Sequence, residues 1–173
     1  LLLKNKLKQS NVSLRLIPNE TPALSTATSH HNKLGLSANK VELLIVRGGD
    51  GSIVIAESCG AQNITAYARR DQGRPKRDAF VGMLPPKLAQ IMINLTGPHQ
   101  AGSTILDPFC GTGVVLQEAA LMHYAAYGTD LSEKMVSFSE QNLAWLSTSH
   151  RIDITSTVTQ GDAMDYRWRD TIS

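Results

Sequence analysis

The chain has 173 residues, of which 42% are hydrophobic and 18% charged, an ordinary globular composition that suffices for one full domain or two small or partial ones. No apolar run approaches the ~20 residues that a membrane-spanning helix requires, and the start, LLLKNKLKQ, lacks the regions of a signal peptide, so we predict a cytoplasmic protein without membrane contact. Two cysteines, Cys59 and Cys110, are too few for a disulfide scaffold and lack the spacing of zinc ligands.

The net charge of +2 conceals an uneven distribution along the chain. Residues 1–100 contain 13 Lys and Arg against 6 Asp and Glu, a net charge of +7. Residues 101–173 contain 4 against 9, a net charge of −5. A basic surface attracts polyanions, so the first part of the chain is predicted to meet an anionic partner.

The first 66 residues predict a mixture of helix and strand. Residues 1–9 place leucines among lysines in the manner of an amphipathic helix, and VSLRLI, residues 12–17, predicts a short strand. Between Thr21, a candidate cap, and Gly35, a candidate stop, the sequence predicts a second helix. VELLIV and SIVIAES flank RGGDG and predict a β-hairpin, because glycines allow the positive φ angles of a tight turn.

Residues 67–78, YARRDQGRPKRD, predict a basic linker, because Gly73 and Pro75 are expected to forbid a regular helix. Two interpretations remain open on these residues alone. The cations keep a solvated linker extended, or they bind phosphates, whose oxygens match the two-pronged geometry of guanidinium groups. The candidate RNA-binding cations are Arg69, Arg70, Arg74, Lys76 and Arg77.

The next segment, GMLPPKLAQIMINLTG, predicts a helix that Pro85 and Pro86 open and Gly97 ends. Its helical periodicity places four apolar side chains on one face, which is expected to pack against the elements that follow. These residues are Leu88, Ile91, Met92 and Leu95.

After this helix comes a strand, a glycine-containing loop, a helix and a second strand. STIL predicts the first strand, DPFCGTG the loop, VVLQEAALMH the helix, and YAAYGTDL a strand that ends at Asp130. This order is that of the nucleotide-binding half of a doubly wound α/β fold. Gly111 and Gly113 permit close approach of a ligand to the backbone, and Asp130 follows Gly111 at a spacing near that of an acid that binds a ribose diol.

The side chains of the loop narrow the choice of ligand. A phosphate-binding loop requires Gly-Lys-Ser/Thr, but Val114 follows Gly113; a dinucleotide fingerprint requires a small residue at Leu116. Asp107 would repel a pyrophosphate but suits an ammonium group. S-adenosylmethionine meets these conditions, with its amine at Asp107 and its ribose at Asp130. The third strand, TSTVTQ, leads to Asp162, which either accepts from the adenine amine or forms a turn.

LDPFCGTG resembles the first motif of class I methyltransferases that modify exocyclic amines of nucleobases. ARRDQGRPKRDAFVGMLPPKLAQIMINLTG is similar to the corresponding stretch of archaeal and eukaryotic tRNA guanosine methyltransferases, which carry an N-terminal THUMP domain that binds tRNA. The resemblance implies a partial Rossmann-like, doubly wound methyltransferase domain over residues 79–173, a linker over residues 67–78, and a partial α+β THUMP-like region over residues 1–66. It also implies tRNA as substrate and S-adenosylmethionine as cofactor.

The resemblance implies a cofactor site that follows the strand ends. The matching positions are Asp107, Pro108, Phe109, Gly111, Gly113, Asp130 and Asp162, and the prediction extends to their neighbours Cys110, Leu131 and Ala163.

The chain departs from this family in one respect. The family holds the target amine with an Asp/Asn-Pro-Pro-aromatic loop after the fourth strand, and no such sequence follows Asp162. Pro85-Pro86 lies between Leu84 and Lys87 and does not match, so no catalytic residue is predicted. We expect a chain truncated at both ends, inactive alone, with an exposed sheet edge that favours self-association.

Two other functions stay open. A DNA amine methyltransferase would share DPFCGTG, and a non-catalytic RNA-binding module would bind tRNA without cofactor. A metal site is not expected, because the adjacent His30 and His31 lack the i, i+4 spacing of ligands on one helical face. Trp145 is predicted on a helix that packs against the sheet, and Trp168 could stack on a base.

Overall fold

Two short helices and a β-hairpin make up the first of two units in the computed structural model, which describes residues 2–80, 82–98, 100 and 102–165. The first unit is Leu1–Ile64 and the second is Thr65–Ser173. The elements of the first unit are α1 (Leu2–Gln9), α2 (Thr26–Asn32), β1 (Leu43–Arg47) and β2 (Ile53–Glu57).

Helix α1 lies where the leucine pattern predicts it, but the strand predicted over residues 12–17 is wrong. The backbone reverses at Asn11, with φ 59°, and the Val12 N–H donates to the Leu7 carbonyl oxygen at 2.9 Å. A strand requires a neighbour to complete its hydrogen bonds, and among the described residues this segment pairs with none.

Helix α2 is shorter than predicted. Its N-cap is Ser25 rather than Thr21, and Ser25 accepts a hydrogen bond from the backbone N–H three residues later. It ends at Lys33, which adopts the left-handed conformation. Gly35 has a different function from the predicted stop: a Cβ at this position would lie 2.4 Å from the Ser58 carbonyl oxygen.

The predicted hairpin is confirmed. Strands β1 and β2 pair in antiparallel register, with Ile45 opposite Ile55. Their residues are exposed on both faces within the described part of this unit.

The second unit contains a three-stranded parallel sheet in the order β3-β4-β5, as the β-loop-α-β pattern predicts. Helix α5 packs against β3 and β4, and α6 packs against β4 and β5, so each helix connects two neighbouring strands. The elements are α3 (Ile64–Gly73), α4 (Pro86–Leu95), β3 (Thr104–Asp107), α5 (Val114–Leu121), β4 (Ala125–Asp130), α6 (Glu133–His150) and β5 (Ser156–Gln160).

The prediction of an irregular linker from residue 67 is wrong for its first half. Helix α3 continues to Gly73, so Gly73 and Pro75 end the helix rather than prevent it. Residues 74–78 lie outside helices and strands, and we call these five residues the linker segment.

Helix α4 is confirmed, but its buried face differs from the predicted one. The buried residues are Pro86, Ala89 and Ile93, and α4 packs against α5 through this face. Ala89 is fully buried, because its small side chain allows the two helices to approach closely. The predicted face is exposed within the described unit, at Leu88, Ile91, Met92 and Leu95.

The core of the second unit lies between the sheet and helices α4, α5 and α6. Gly128 on β4 shows how closely it is packed, because a Cβ there would lie 2.6 Å from Leu116 Cδ1. The core cluster comprises Ile93, Ile105, Cys110, Leu116, Ala119, Tyr124, Ala126 and Leu143.

The described helices include none that is long and apolar enough to cross a membrane.

Candidate functional site

Residues 107–113, which we call the glycine loop, connect the end of β3 to the start of α5. Gly111 and Gly113 have φ angles of 52° and 78°, which side chains rarely tolerate. A Cβ on Gly113 would lie 2.8 Å from Ser139 Oγ, so Gly113 is required for packing against α6. A Cβ on Gly111 would meet no protein atom within 4 Å. Gly111 therefore borders open space, where a ligand can approach the bare backbone.

The glycine loop is attached to the end of β4 by backbone and hydroxyl hydrogen bonds. The Cys110 N–H donates to the Thr129 carbonyl oxygen at 2.8 Å, and Thr129 Oγ1 donates to the Pro108 carbonyl oxygen at 3.0 Å. Within the loop, the Gly113 N–H donates to the Cys110 carbonyl oxygen at 2.7 Å. Thr129 is completely buried, so the loop conformation is determined by the sheet beneath it.

Helix α6 holds the other side of the loop through two side chains one turn apart. Ser139 Oγ donates to the Gly111 carbonyl oxygen at 2.8 Å, and Asn142 Nδ2 donates to the Thr112 carbonyl oxygen at 2.9 Å. A trans peptide unit points its N–H opposite its C=O, so the first bond turns the Thr112 N–H away from α6. The sequence analysis did not predict Ser139 and Asn142 as site residues. The signal that could have identified them is their polar side chains on the buried face of α6.

Asp130, at the end of β4, lies directly beside the loop. Its Oδ2 accepts from the Gly111 N–H at 3.0 Å, and its Oδ1 accepts from the Ser132 N–H at 2.9 Å. Each carboxylate oxygen retains a further lone pair for a ligand hydroxyl. The structure thus brings Asp130 and Gly111 together across the ends of adjacent strands.

Asp107, at the end of β3, provides a second carboxylate at this edge. Its Oδ1 accepts from the Phe109 N–H at 3.1 Å. Burial raises the pKa of the Asp107 carboxyl, the Phe109 hydrogen bond opposes this, and the charge of Asp130 acts in the same direction as burial. A cationic group placed between the two carboxylates would relieve their repulsion.

Exposed apolar side chains follow each of the three strands. Phe109 is 74% exposed after β3, Leu131 is 71% exposed after β4, and Met164 is 87% exposed after β5. Apolar side chains at the carboxyl edge of a parallel sheet favour contact with the flat face of a ligand ring. Phe109 and Leu131 were predicted site residues, whereas Met164 was not.

The remaining predicted residues are placed differently. Asp162 is exposed after β5 and accepts from the Met164 N–H at 3.0 Å, which is the geometry of a turn. Its half-buried neighbour Ala163 completes the same turn. The Gly161 N–H donates to the Asp130 carbonyl oxygen at 3.1 Å and so keeps the turn beside β4.

The side chain of Cys110 points into the core, and only its backbone belongs to the loop. The thiol packs beside Gly128, and Ser139 Oγ lies 3.7 Å from Sγ. Burial raises the pKa of Cys110 to about 12. A buried, protonated thiol is a packing group rather than a nucleophile.

The five predicted RNA-binding cations divide into two groups. Arg70 is buried in α3, where Nε and Nη2 donate to the two carboxylate oxygens of Glu118 at 2.7 and 3.0 Å. Arg74 is 3% exposed and donates to Asp71 at 3.1 Å, and burial lowers the pKa of its guanidinium. Two more cations, Arg69 and Arg77, are exposed, and Lys76 is half-buried.

A model of one protein family matches more than half of the chain. It is described as UPF0020, the RMKL-like methyltransferase domain, and it matches residues 74–167. The match therefore covers the linker segment, the glycine loop and all three parallel strands.

Two curated archaeal relatives are both named tRNA (guanine(10)-N2)-dimethyltransferase. The protein of Methanothermobacter thermautotrophicus is 47% identical over 75 residues, which are 42% of this chain and 22% of the relative. The protein of Pyrococcus abyssi is 48% identical over 62 residues, which are 36% of this chain and 18% of the relative. The matched part of the chain spans about a fifth of the length of these relatives.

Among solved structures, the N-terminal domain of human METTL16 in complex with SAH is similar at a TM-score of 0.40 with 12% sequence identity. The similarity covers 75% of this chain and 53% of that one.

Proposed function

The chain belongs to the family of RMKL-like methyltransferase domains, and on this premise we propose that it binds S-adenosylmethionine as part of an enzyme that methylates the exocyclic amine of a guanosine in tRNA. The observation that carries the proposal is the position of Gly111 in the glycine loop. Its backbone borders open space, and its N–H donates to the Asp130 carboxylate at the end of the neighbouring strand. The names of the curated relatives support guanine in tRNA as the target.

The residues around the glycine loop fit the chemical groups of this cofactor. Asp107 suits the amine, because a carboxylate stabilises an ammonium group at a partly buried position. Asp130 retains lone pairs for the ribose hydroxyls, and Phe109 and Leu131 offer apolar surface to the adenine ring. When bound, S-adenosylmethionine supplies an electrophilic methyl group on a sulfonium.

The chain's own contribution to the reaction is positioning. The hydrogen bonds from Thr129, Ser139 and Asn142 support the glycine loop from β4 and from α6. Preorganisation of this kind lowers the entropy cost of placing a methyl group in line with an attacking amine. We assign no catalytic residue within the 173 residues, because the sequence lacks an Asp/Asn-Pro-Pro-aromatic motif.

Calorimetric titration with S-adenosylmethionine tests the cofactor site. Asp130→Ala is expected to lower the affinity about tenfold or more, because charge-assisted hydrogen bonds are lost. Asp153→Ala removes an exposed carboxylate elsewhere in the same unit and is the matched control, with unchanged affinity. Since Asp130 also supports the loop, Asp107→Asn is the second variant. Native affinity in both site variants would contradict the proposed site.

The RNA-binding part of the proposal rests on charge. We propose that residues 1–66 form a THUMP-like RNA-binding region and residues 79–173 the cofactor-binding region, with exposed cations in α3 and in the linker segment, in a cytoplasmic protein. Arg69 and Arg77 are the exposed cations that remain available for phosphates, with Lys76 half-exposed beside them. Competition between tRNA and duplex DNA distinguishes this function from DNA methylation, which would favour DNA.

Self-association is a further proposal about partners. Among the described strands, β3 and β5 each pair on one side only. An unpaired edge is a template for pairing with a second chain. Light scattering at increasing protein concentration is expected to show a rising mass, and a mass that stays monomeric would exclude this association.

A further inference from the structure

Asn142 contacts two parts of the second unit that are distant in sequence. Its Nδ2 donates to the Thr112 carbonyl oxygen in the glycine loop at 2.9 Å. The same nitrogen donates to the Lys76 carbonyl oxygen at 2.9 Å, and Oδ1 accepts from the Lys76 N–H at 2.9 Å. The amide therefore pairs with the linker segment as a neighbouring strand would, while it holds the loop that borders Gly111.

The environment of Asn142 makes these three bonds interdependent. The side chain is completely buried, so water does not replace a lost partner. The amide group is planar, and a rotation that improves one bond distorts the other two. A shift of the linker segment is therefore felt at Thr112, and a shift of the glycine loop is felt at Lys76.

The C-terminal end of the linker segment is also attached to α6. Lys134 Nζ lies 2.7 Å from Asp78 Oδ2, and this lysine is well exposed. The ammonium groups of Lys76 and Lys134 lie 5.5 and 5.3 Å from the ring centroid of Phe138. Arg77 lies between these two attachments and is exposed, where it is accessible to a phosphate.

We propose that Asn142 is a positioning residue that couples RNA binding at the linker segment to cofactor binding at the glycine loop. The inference rests on the proposed function and adds to it a regulation of the same site. RNA that binds Arg77 contacts the linker segment, whose backbone is hydrogen-bonded to Asn142 at Lys76. Ordering of that segment orders Asn142, which stabilises the Thr112 carbonyl and the loop conformation that receives the cofactor. By linkage, the cofactor then favours RNA binding to the same extent.

The test measures how much each ligand changes the affinity of the other. The affinity of the full chain for S-adenosylhomocysteine, an unreactive probe, is determined by calorimetry with and without a saturating tRNA transcript. In the native chain, tRNA is expected to raise this affinity about fivefold or more, which is the usual lower range of allosteric coupling. A purely structural role for Asn142 would change stability but not this ratio.

Asn142→Asp keeps the size of the side chain and the acceptor for the Lys76 N–H but replaces both donated bonds with repulsion between oxygens. Its affinity ratio is expected to approach one. Gln141→Glu makes the same chemical change at the adjacent exposed position and should keep the native ratio. If Asn142→Asp fails to fold, Lys134→Ala removes the exposed attachment to Asp78 and is expected to reduce the ratio.

The outcomes separate this inference from the proposed function. A native ratio of one, with both ligands bound, overturns the coupling and leaves the proposed function in place. A native ratio that persists in a folded Asn142→Asp chain overturns the assignment to Asn142, and a native ratio that persists in Lys134→Ala overturns the linker segment as the route of the coupling. A folded native chain that binds neither probe overturns the proposed function itself.

Discussion

At the scale of single residues, the environment of Asp107 bears directly on the charge of the ligand that the site prefers. Burial and the neighbouring carboxylate of Asp130 raise the pKa of its carboxyl, against the hydrogen bond from Phe109. The ionised Asp107 carboxylate is destabilised in the protein, and a cationic ligand offsets this destabilisation. A positively charged ligand group at this position therefore stabilises the ionised carboxylate.

Affinity for S-adenosylmethionine is predicted to fall as pH decreases through the raised pKa of Asp107. The ammonium group of the ligand requires the ionised carboxylate, and protonation of Asp107 competes with binding. The decline begins at a higher pH than an ordinary aspartate would cause and reaches up to about tenfold per pH unit below the pKa. Calorimetric dissociation constants between about pH 4 and pH 8 measure it.

Asp107→Asn is the control for this prediction. The variant should bind more weakly at neutral pH and lose the pH dependence, because its amide does not titrate. The same decline with acid in native and variant chains would assign the titration to another group.

At the scale of elements, a buried ion pair joins α3 to α5. Arg70 Nε and Nη2 donate to the two oxygens of Glu118, and the Arg70 guanidinium lies 4.7 Å from the ring centroid of Tyr67. Burial raises the pKa of Glu118, although the hydrogen bond and charge of Arg70 oppose this. The basic helix α3 is thus attached to the helix that begins at the glycine loop.

Arg70→Met is predicted to lower the free energy of unfolding by about 3–5 kcal/mol, because it removes the cation from the buried Glu118 carboxylate and leaves it only the hydrogen bond with Gln90. The folded-state pKa of Glu118 rises further in the variant. The stability of the variant should therefore be highest at low pH and should decrease as pH rises from the unfolded pKa to the folded one. Chemical denaturation at several pH values measures both effects.

Arg69→Met is the matched control, since it removes an exposed arginine one position away, and it should change stability by no more than about 0.5 kcal/mol. The double variant Arg70→Met with Glu118→Leu should recover much of the loss, because an apolar pair of similar volume avoids the desolvation cost. An Arg70→Met chain as stable as the Arg69→Met control would contradict the importance of the pair.

At the scale of the whole molecule, the net charge of +7 over residues 1–100 favours a polyanion, but exposure determines which cations meet it. Arg70 and Arg74 bind carboxylates of the protein, whereas Arg69 and Arg77 remain exposed. Reversing the charge of both exposed arginines to Glu is predicted to reduce the log–log salt slope of tRNA binding by about 2, at ~0.9 per phosphate contact.

Affinities for a tRNA transcript at increasing salt concentrations measure this slope. Arg151→Glu reverses an exposed charge after α6, outside the linker, and should have little effect on it. A slope that is unchanged in the double variant would exclude Arg69 and Arg77 as phosphate contacts.

The sequence by itself determined the local features of this protein. The glycines and acids of the glycine loop, the hairpin turn and the order of strands and helices in the second unit follow from backbone preferences and periodicity, which act over short stretches of chain. The spacing between Gly111 and Asp130 also predicted an acid at the end of the second strand, and the structure places its carboxylate against the Gly111 N–H, because the carboxyl ends of adjacent parallel strands share one edge of the sheet.

Only the tertiary structure decided which side chains face protein and which face solvent. Ala89, rather than the larger Leu88, lies against α5, because helices pack closely at small residues. Arg70 became a buried partner of Glu118, 48 positions away, and Asn142 came to bind both Lys76 and Thr112. These contacts arise from packing between elements distant in sequence, which neither composition nor local spacing encodes.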